Sequence, residues 1–283
     1  MSGYLNPYLE LMRPTNSIMA GLASIIGFLI ASGFSLSHYD YMKLILLFAS
    51  TFVFSSSSMA MNDYFDREID AVNQPQRPIP SGRVKPERAL IFSIILMITG
   101  LLLSTLISLE ALIVAIVACT GFTIYSIHLK RHGLIGNACV SLCVALTFVY
   151  GAVATGGFPG LIAVFSSMAF LANMSREVVK GIIDIEGDKL KGLRTLAISR
   201  GSRASAKVAL VFMCLAVALS IVPTLLGYVN WLYLPIVLVA DAGLLTSTLL
   251  VLLAPTPNKA GKSKKLMLMF MGLALTAFLV GCI

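Results

Sequence analysis

The sequence predicts an all-α, polytopic membrane protein, with nine transmembrane helices arranged as two four-helix halves plus one helix around a central cavity. Three observations predict it. Of 283 residues, 58% are hydrophobic and 12% charged, whereas soluble domains carry about 25% charged residues. Apolar runs of the roughly 20 residues needed to cross a hydrocarbon core recur along the whole chain. The basic residues also alternate: of 21 Lys and Arg, all except Lys43 fall in the segments or helix ends of one side, the pattern of the positive-inside rule. That pattern puts the N-terminus in the cytosol, the C-terminus outside and the functional segments on the cytosolic face.

Spans are predicted over 16–33, 44–61, 89–108, 111–127, 136–155, 160–177, 206–226, 231–253 and 265–283, in one domain covering 1–283. The pseudo-repeat halves run from about 10 to 130 and from 131 to 255, and the ninth helix stands apart. The first run follows a polar lead with Arg13 and lacks a small-residue cleavage site, so it reads as a span and not a removed signal. Span 2 continues without a breaker into acidic sequence. The proline-rich stretch after it, from Asn73 to Arg83, cannot be regular helix and must fold over the mouth. The outer connections, such as Gly156-Gly157-Phe158-Pro159-Gly160 and Gly227-Tyr228-Val229-Asn230, are short and uncharged, as tight helical hairpins require. The cytosolic segments after spans 2 and 6 are the long ones, and they hold most of the acids.

This composition excludes a soluble domain. The net charge of +8 reads mainly as topological signal and attraction to anionic lipid. Nucleic-acid binding is excluded because the bases lack interleaved stacking aromatics. The five cysteines sit in apolar runs and the histidines form no ligand pair, so neither thiolate nor imidazole metal sites are expected.

Asn62, Asp66 and Asp70, spaced i, i+4, i+8, line one face of the helix that extends span 2. Such a stripe repels itself unless a cation sits beside it. Mg²⁺ suits it, taking one or two carboxylates and completing its shell with water and substrate phosphates. Asp184 and Asp188 repeat the i, i+4 spacing after span 6, with Asp184 118 residues beyond Asp66. Two stripes at equivalent places in two halves can hold metal ions with a diphosphate between them. Candidate anion contacts are Arg13, Asn16, Arg77, Tyr125, Lys130, Lys180, Lys191 and Arg194. The cations exceed what one diphosphate needs, so a second anionic group is expected on an acceptor. Asp241, deep in span 8, is expected to make a helix–helix hydrogen bond.

These residues resemble the UbiA-type intramembrane prenyltransferases: Asn62-x-x-x-Asp66-x-x-x-Asp70, Asp184-x-x-x-Asp188, Arg77-Pro78, and a Tyr/Lys pair after the fourth span. The family's Tyr and Lys are usually separated by three residues. Here Tyr125 and Lys130 are separated by four, so either Lys130 or a neighbour takes the phosphate role. The resemblance implies a large cavity with a lateral opening to lipid, two Mg²⁺ on the Asp motifs, and a polyprenyl diphosphate donor ionised to an allylic cation that the acceptor captures. Arg176-Glu177-Val178-Val179-Lys180 and Arg77-Pro78-Ile79-Pro80-Ser81-Gly82 look most like the branch that makes archaeal ether lipids. Its acceptor would be geranylgeranylglyceryl phosphate, and no obligate protein partner is implied. Transfer to an aromatic quinone precursor is the alternative within the family, and a two-repeat cation transporter is the alternative outside it. A CDP-alcohol phosphotransferase would need an Asp-Gly-x-x-Ala-Arg lead, which is absent.

Overall fold

The computed structural model describes residues 6–283, with only the backbone described at His38 and Tyr39. Among the described residues, nine helices are long and apolar enough to cross a membrane, one for each predicted span. A short α1 (Pro7–Met12) leads into α2 (Pro14–Ala31), followed by α3 (His38–Asn73), α4 (Pro86–Thr105) and α5 (Leu109–Ile127). A 3₁₀ turn (Leu129–His132) then leads to α6 (Leu134–Val153), α7 (Gly160–Ile183) and the short α8 (Ile185–Leu190) and α9 (Leu196–Arg200). The chain ends with α10 (Ser202–Ser220), α11 (Val222–Leu225), α12 (Tyr233–Leu253) and α13 (Pro257–Cys282). It is a multi-pass membrane protein.

Helix α3 is 36 residues long, about 54 Å at 1.5 Å per residue. A hydrocarbon core is about 30 Å thick, so the last turns of α3 carry its acidic stripe past the apolar layer. A capping box between Ser37 and Asp40 starts the helix, and the proline-rich segment that follows Gln74 stops it. Helix α13 likewise begins eight residues earlier than the apolar run suggested. Pro257 occupies its first turn and the Thr256 side chain accepts the Lys259 N–H, a start signal that works equally well in water.

Each long helix packs on the next in chain order, and α13 returns to α2 and α7, so the nine close into a ring. Helices α2 and α6 also cross directly. Gly151 permits this: a Cβ there would lie 1.8 Å from the Ser24 carbonyl oxygen. Small residues at such crossings bring backbones close where lipid supplies no hydrophobic drive. At the end away from the acidic motifs, Phe165 and Phe278 stack at 3.9 Å, with Tyr233 beside them. Ile95, Leu102, Ile113, Val117 and Val239 are exposed on the outer faces, where lipid is their solvent.

Asp241 accepts a hydrogen bond from Ser220 Oγ at 2.6 Å, joining α12 to α10. This is the helix–helix bond expected of it.

Candidate active site

The stripe on α3 is buried. Asn62, Asp66 and Asp70 are 6%, 4% and 4% exposed, and Asn62 Nδ2 donates to Asp66 Oδ2 at 2.8 Å. Asp66 pairs with Lys130. The extra residue between Tyr125 and Lys130 is absorbed by the break after α5, where the 3₁₀ turn carries Lys130 back towards α3. Tyr125, buried, lines the same polar cavity as Lys130, Glu177, Lys180, Asp184 and Asp188. Arg77 is drawn over the end of α3, its Nη1 2.5 Å from Asp70 and 3.2 Å from Asp63. The loop that carries Arg77 is held by buried Ile79 and Val84, packed with Leu11 and Ala60, and by the Arg83–Glu10 ion pair at 2.7 Å.

Asp63 was not singled out from the sequence, yet it is 3% exposed and holds both Arg13 and Arg77. Arg13 sits at the α1–α2 junction with φ +45°, a conformation uncommon for a residue with a side chain and one typical of functional sites. The available signal was its place: Asp63 follows Asn62 directly and so lies about 100° round the helix, towards α1.

The second motif is built differently. Helix α7 ends at Ile183, and Asp184, with φ −93° and ψ 7°, forms the joint to α8. The helical face implied by the i, i+4 spacing is therefore broken at its first acid, although the Asp188 N–H still bonds to the Asp184 carbonyl at 2.9 Å. One residue holds the two motifs together. Asn73 donates to the Asp184 carbonyl at 3.2 Å and accepts from the Gly187 N–H at 3.2 Å. A Cβ on Gly187 would lie 2.5 Å from Asn73 Nδ2 and 2.8 Å from the Ile69 carbonyl, so only glycine lets α8 approach this closely.

Asp184 Oδ1 is buried without a hydrogen-bond partner. Burial, and after it the neighbouring Asp184 carboxylate, push the Asp188 carboxyl up to about 7. An orphaned carboxylate oxygen beside a destabilised carboxylate fits a hard divalent cation. Among the described residues, no three acids converge tightly enough to form a metal cage by themselves. A metal here would share its shell with substrate oxygens.

Lys180, on the wall of the polar cavity, is 3.7 Å from Glu177. The remaining candidates lie apart. Lys191 turns to the outer side of α3, 3.1 Å from Glu68. Arg194 is exposed, and its backbone N–H bonds to the Arg131 carbonyl at 3.4 Å. Asn16 lines a second, apolar cavity of about 190 Å³ that runs between the helices, with Met59, Phe148, Met168, Met271 and Phe278. This volume is several times a water's share of about 30 Å³. Glu177 lines both cavities.

Buried acids and bases at the head of an apolar intramembrane cavity define a membrane enzyme that handles an anionic head on a hydrocarbon chain. The chain belongs to the UbiA prenyltransferase family, whose pattern it matches over residues 20–274. It is 37% identical over 280 residues to the digeranylgeranylglyceryl phosphate synthase of Thermococcus sibiricus, covering 99% of this chain and 98% of that one. A solved structure described as a digeranylgeranylglyceryl phosphate synthase is 35% identical and superposes with a TM-score of 0.73, covering 98% of this chain and 97% of the other. A UbiA homologue from Archaeoglobus fulgidus bound to GPP and Mg²⁺ shares the fold at 18% identity and a TM-score of 0.67, covering 96% of this chain and 99% of the other.

Proposed function

We propose that this prenyltransferase moves a geranylgeranyl group from geranylgeranyl diphosphate to geranylgeranylglyceryl phosphate, making the second ether bond of an archaeal-type lipid. The observation that carries the reading is the pairing of two buried acid motifs, each flanked by bases, at the head of an apolar cavity. The relatives' shared name supports the acceptor. Asn62, Asp66 and Asp70 face Asp184 and Asp188 as the ligands of Mg²⁺, one motif from each half (about 10–130 and 131–255). Bound Mg²⁺ offsets the charge that develops on the departing diphosphate.

Arg13, Arg77, Tyr125, Lys130 and Lys180 contact the phosphate oxygens. The bases already paired with Asp63, Asp66 and Asp70 exchange those carboxylates for the donor's phosphates. Lys191 and Arg194 lie at the rim, where an anionic head enters. Asn16 lines the apolar cavity, which takes substrate hydrocarbon and excludes water, so the allylic cation meets the acceptor before it meets solvent. The donor's C1–O bond breaks with both electrons leaving on the diphosphate. The acceptor hydroxyl oxygen then closes the ether bond and releases its proton. The basic segments, and with them the site, face the cytosol, which puts the N-terminus inside and the C-terminus outside.

The test is incubation of purified protein with Mg²⁺ and radiolabelled geranylgeranyl diphosphate, offering geranylgeranylglyceryl phosphate and 4-hydroxybenzoate in parallel. Label is expected in a doubly alkylated glyceryl phosphate and is expected to disappear with EDTA. Label only in the aromatic acid would move the chain to the quinone branch.

A further inference from the structure

Most bases of the site are matched by an acid: Arg13 by Asp63, Arg77 by Asp63 and Asp70, Lys130 by Asp66. One group is not. Arg176 and Lys180 on α7 share a single carboxylate, Glu177, at 3.2 and 3.7 Å. Lys264 lies on α13, which packs directly against α7, and its charge is felt by Arg176, Lys180 and Glu177. Lys264 also feels Asp184, and Lys180 feels Asp184 and Asp66, acids that belong to the metal motifs. Outside those motifs, Arg176, Lys180 and Lys264 share the one Glu177 carboxylate. Arg176 and Glu177 are only 13% and 10% exposed, and the Arg176 Nε is buried with no hydrogen-bond partner.

Unmatched buried charge is costly, and an unmade guanidinium bond adds to the cost. An anion entering this place would relieve both. Arg176 lines the apolar cavity close to Asn16 and Asn173, so the group sits where a hydrocarbon chain meets its polar head. A phosphate monoester carries close to two negative charges at neutral pH, which matches the excess of cations. Guanidinium also meets its oxygens in fork geometry.

We propose that Arg176 and Lys264 form the binding site for the acceptor's phosphate, separate from the motifs that hold the donor's diphosphate. This rests on the acceptor reading above. With the phosphate there and the chain in the apolar cavity, the glyceryl hydroxyl lies beside Glu177, the wall shared with the polar cavity where the donor ionises. Arg176 and Lys264 are thus binding residues, and they decide that the acceptor is phosphorylated.

Arg176→Gln and Lys264→Gln proteins are to be compared with the unaltered protein for acceptor KM, donor KM, and transfer to geranylgeranylglycerol, which lacks the phosphate. Acceptor KM is expected to rise about tenfold or more in each variant with donor KM unchanged. With geranylgeranylglycerol, variants and unaltered protein are expected to perform alike. Arg176→Lys is expected to recover much of the acceptor affinity, and unchanged donor KM shows that the variants are folded. Unchanged acceptor KM, or a rise in donor KM instead, overturns the assignment while leaving the proposed reaction intact. Failure of the unaltered protein to use any phosphorylated glyceryl acceptor overturns both.

Discussion

The two acid motifs share one spacing but are built unequally. On α3 the acids sit on a single unbroken helix of 36 residues, and bases from α1–α2, the proline-rich loop and the 3₁₀ turn already neutralise them. At the α7–α8 joint the helix breaks at Asp184, one carboxylate oxygen has no partner, and Asp188 is pushed up to about 7. The acids of the first motif are paired by bases from neighbouring elements, whereas the second keeps a carboxylate oxygen without a partner. The contrast teaches that a repeated i, i+4 spacing does not imply a repeated structure.

The comparison can be broken or sharpened by substitution. The largest effects belong to Asp66→Ala and Asp184→Ala. Each is expected to lower turnover of labelled donor by about 10²–10³-fold, the scale of a lost transition-state electrostatic contact, while the protein still inserts into membranes. Retained activity in both would remove the metal assignment.

Next is Asp63→Asn, which touches no proposed metal site but releases Arg13 and Arg77. A loss of about 10–100-fold in kcat/KM for the donor is expected, as for other groups that orient a ligand. An unaltered value would mean that the two arginines are held by Asp70 and the loop alone. Asn73→Ala tests the tie between the motifs. Half-saturation by Mg²⁺ is expected to rise roughly tenfold, with little change in donor KM at saturating metal. No change in the Mg²⁺ titration would show that α8 holds its place by packing.

The smallest effect is expected for Glu68→Gln, two residues from Asp66 on the same helix. Glu68 is 64% exposed and paired with Lys191 on the outer face, and exposed ion pairs are worth at most about 1 kcal/mol. Activity within about twofold of the unaltered protein is expected, and a loss comparable to that of Asp66→Ala would erase the distinction between the two faces of α3.

The nine spans, their order and the stripe on α3 were legible in the sequence, because the length of an apolar run and the 3.6-residue period are local properties that lipid as solvent makes decisive. Asp63, Asn73, Arg176 and Lys264 were not legible as site residues. A base near a membrane end looks the same whether it anchors topology or faces a cavity, and an Asn before a proline-rich turn looks like a turn residue. Their roles depend on which helices become neighbours. Only the tertiary structure decided that α8 lies on the end of α3, a contact that Gly187 alone permits. It also decided that α13 closes the ring against α2 and α7. Charge balance is a sum over neighbours, so it is settled by packing and not by sequence order.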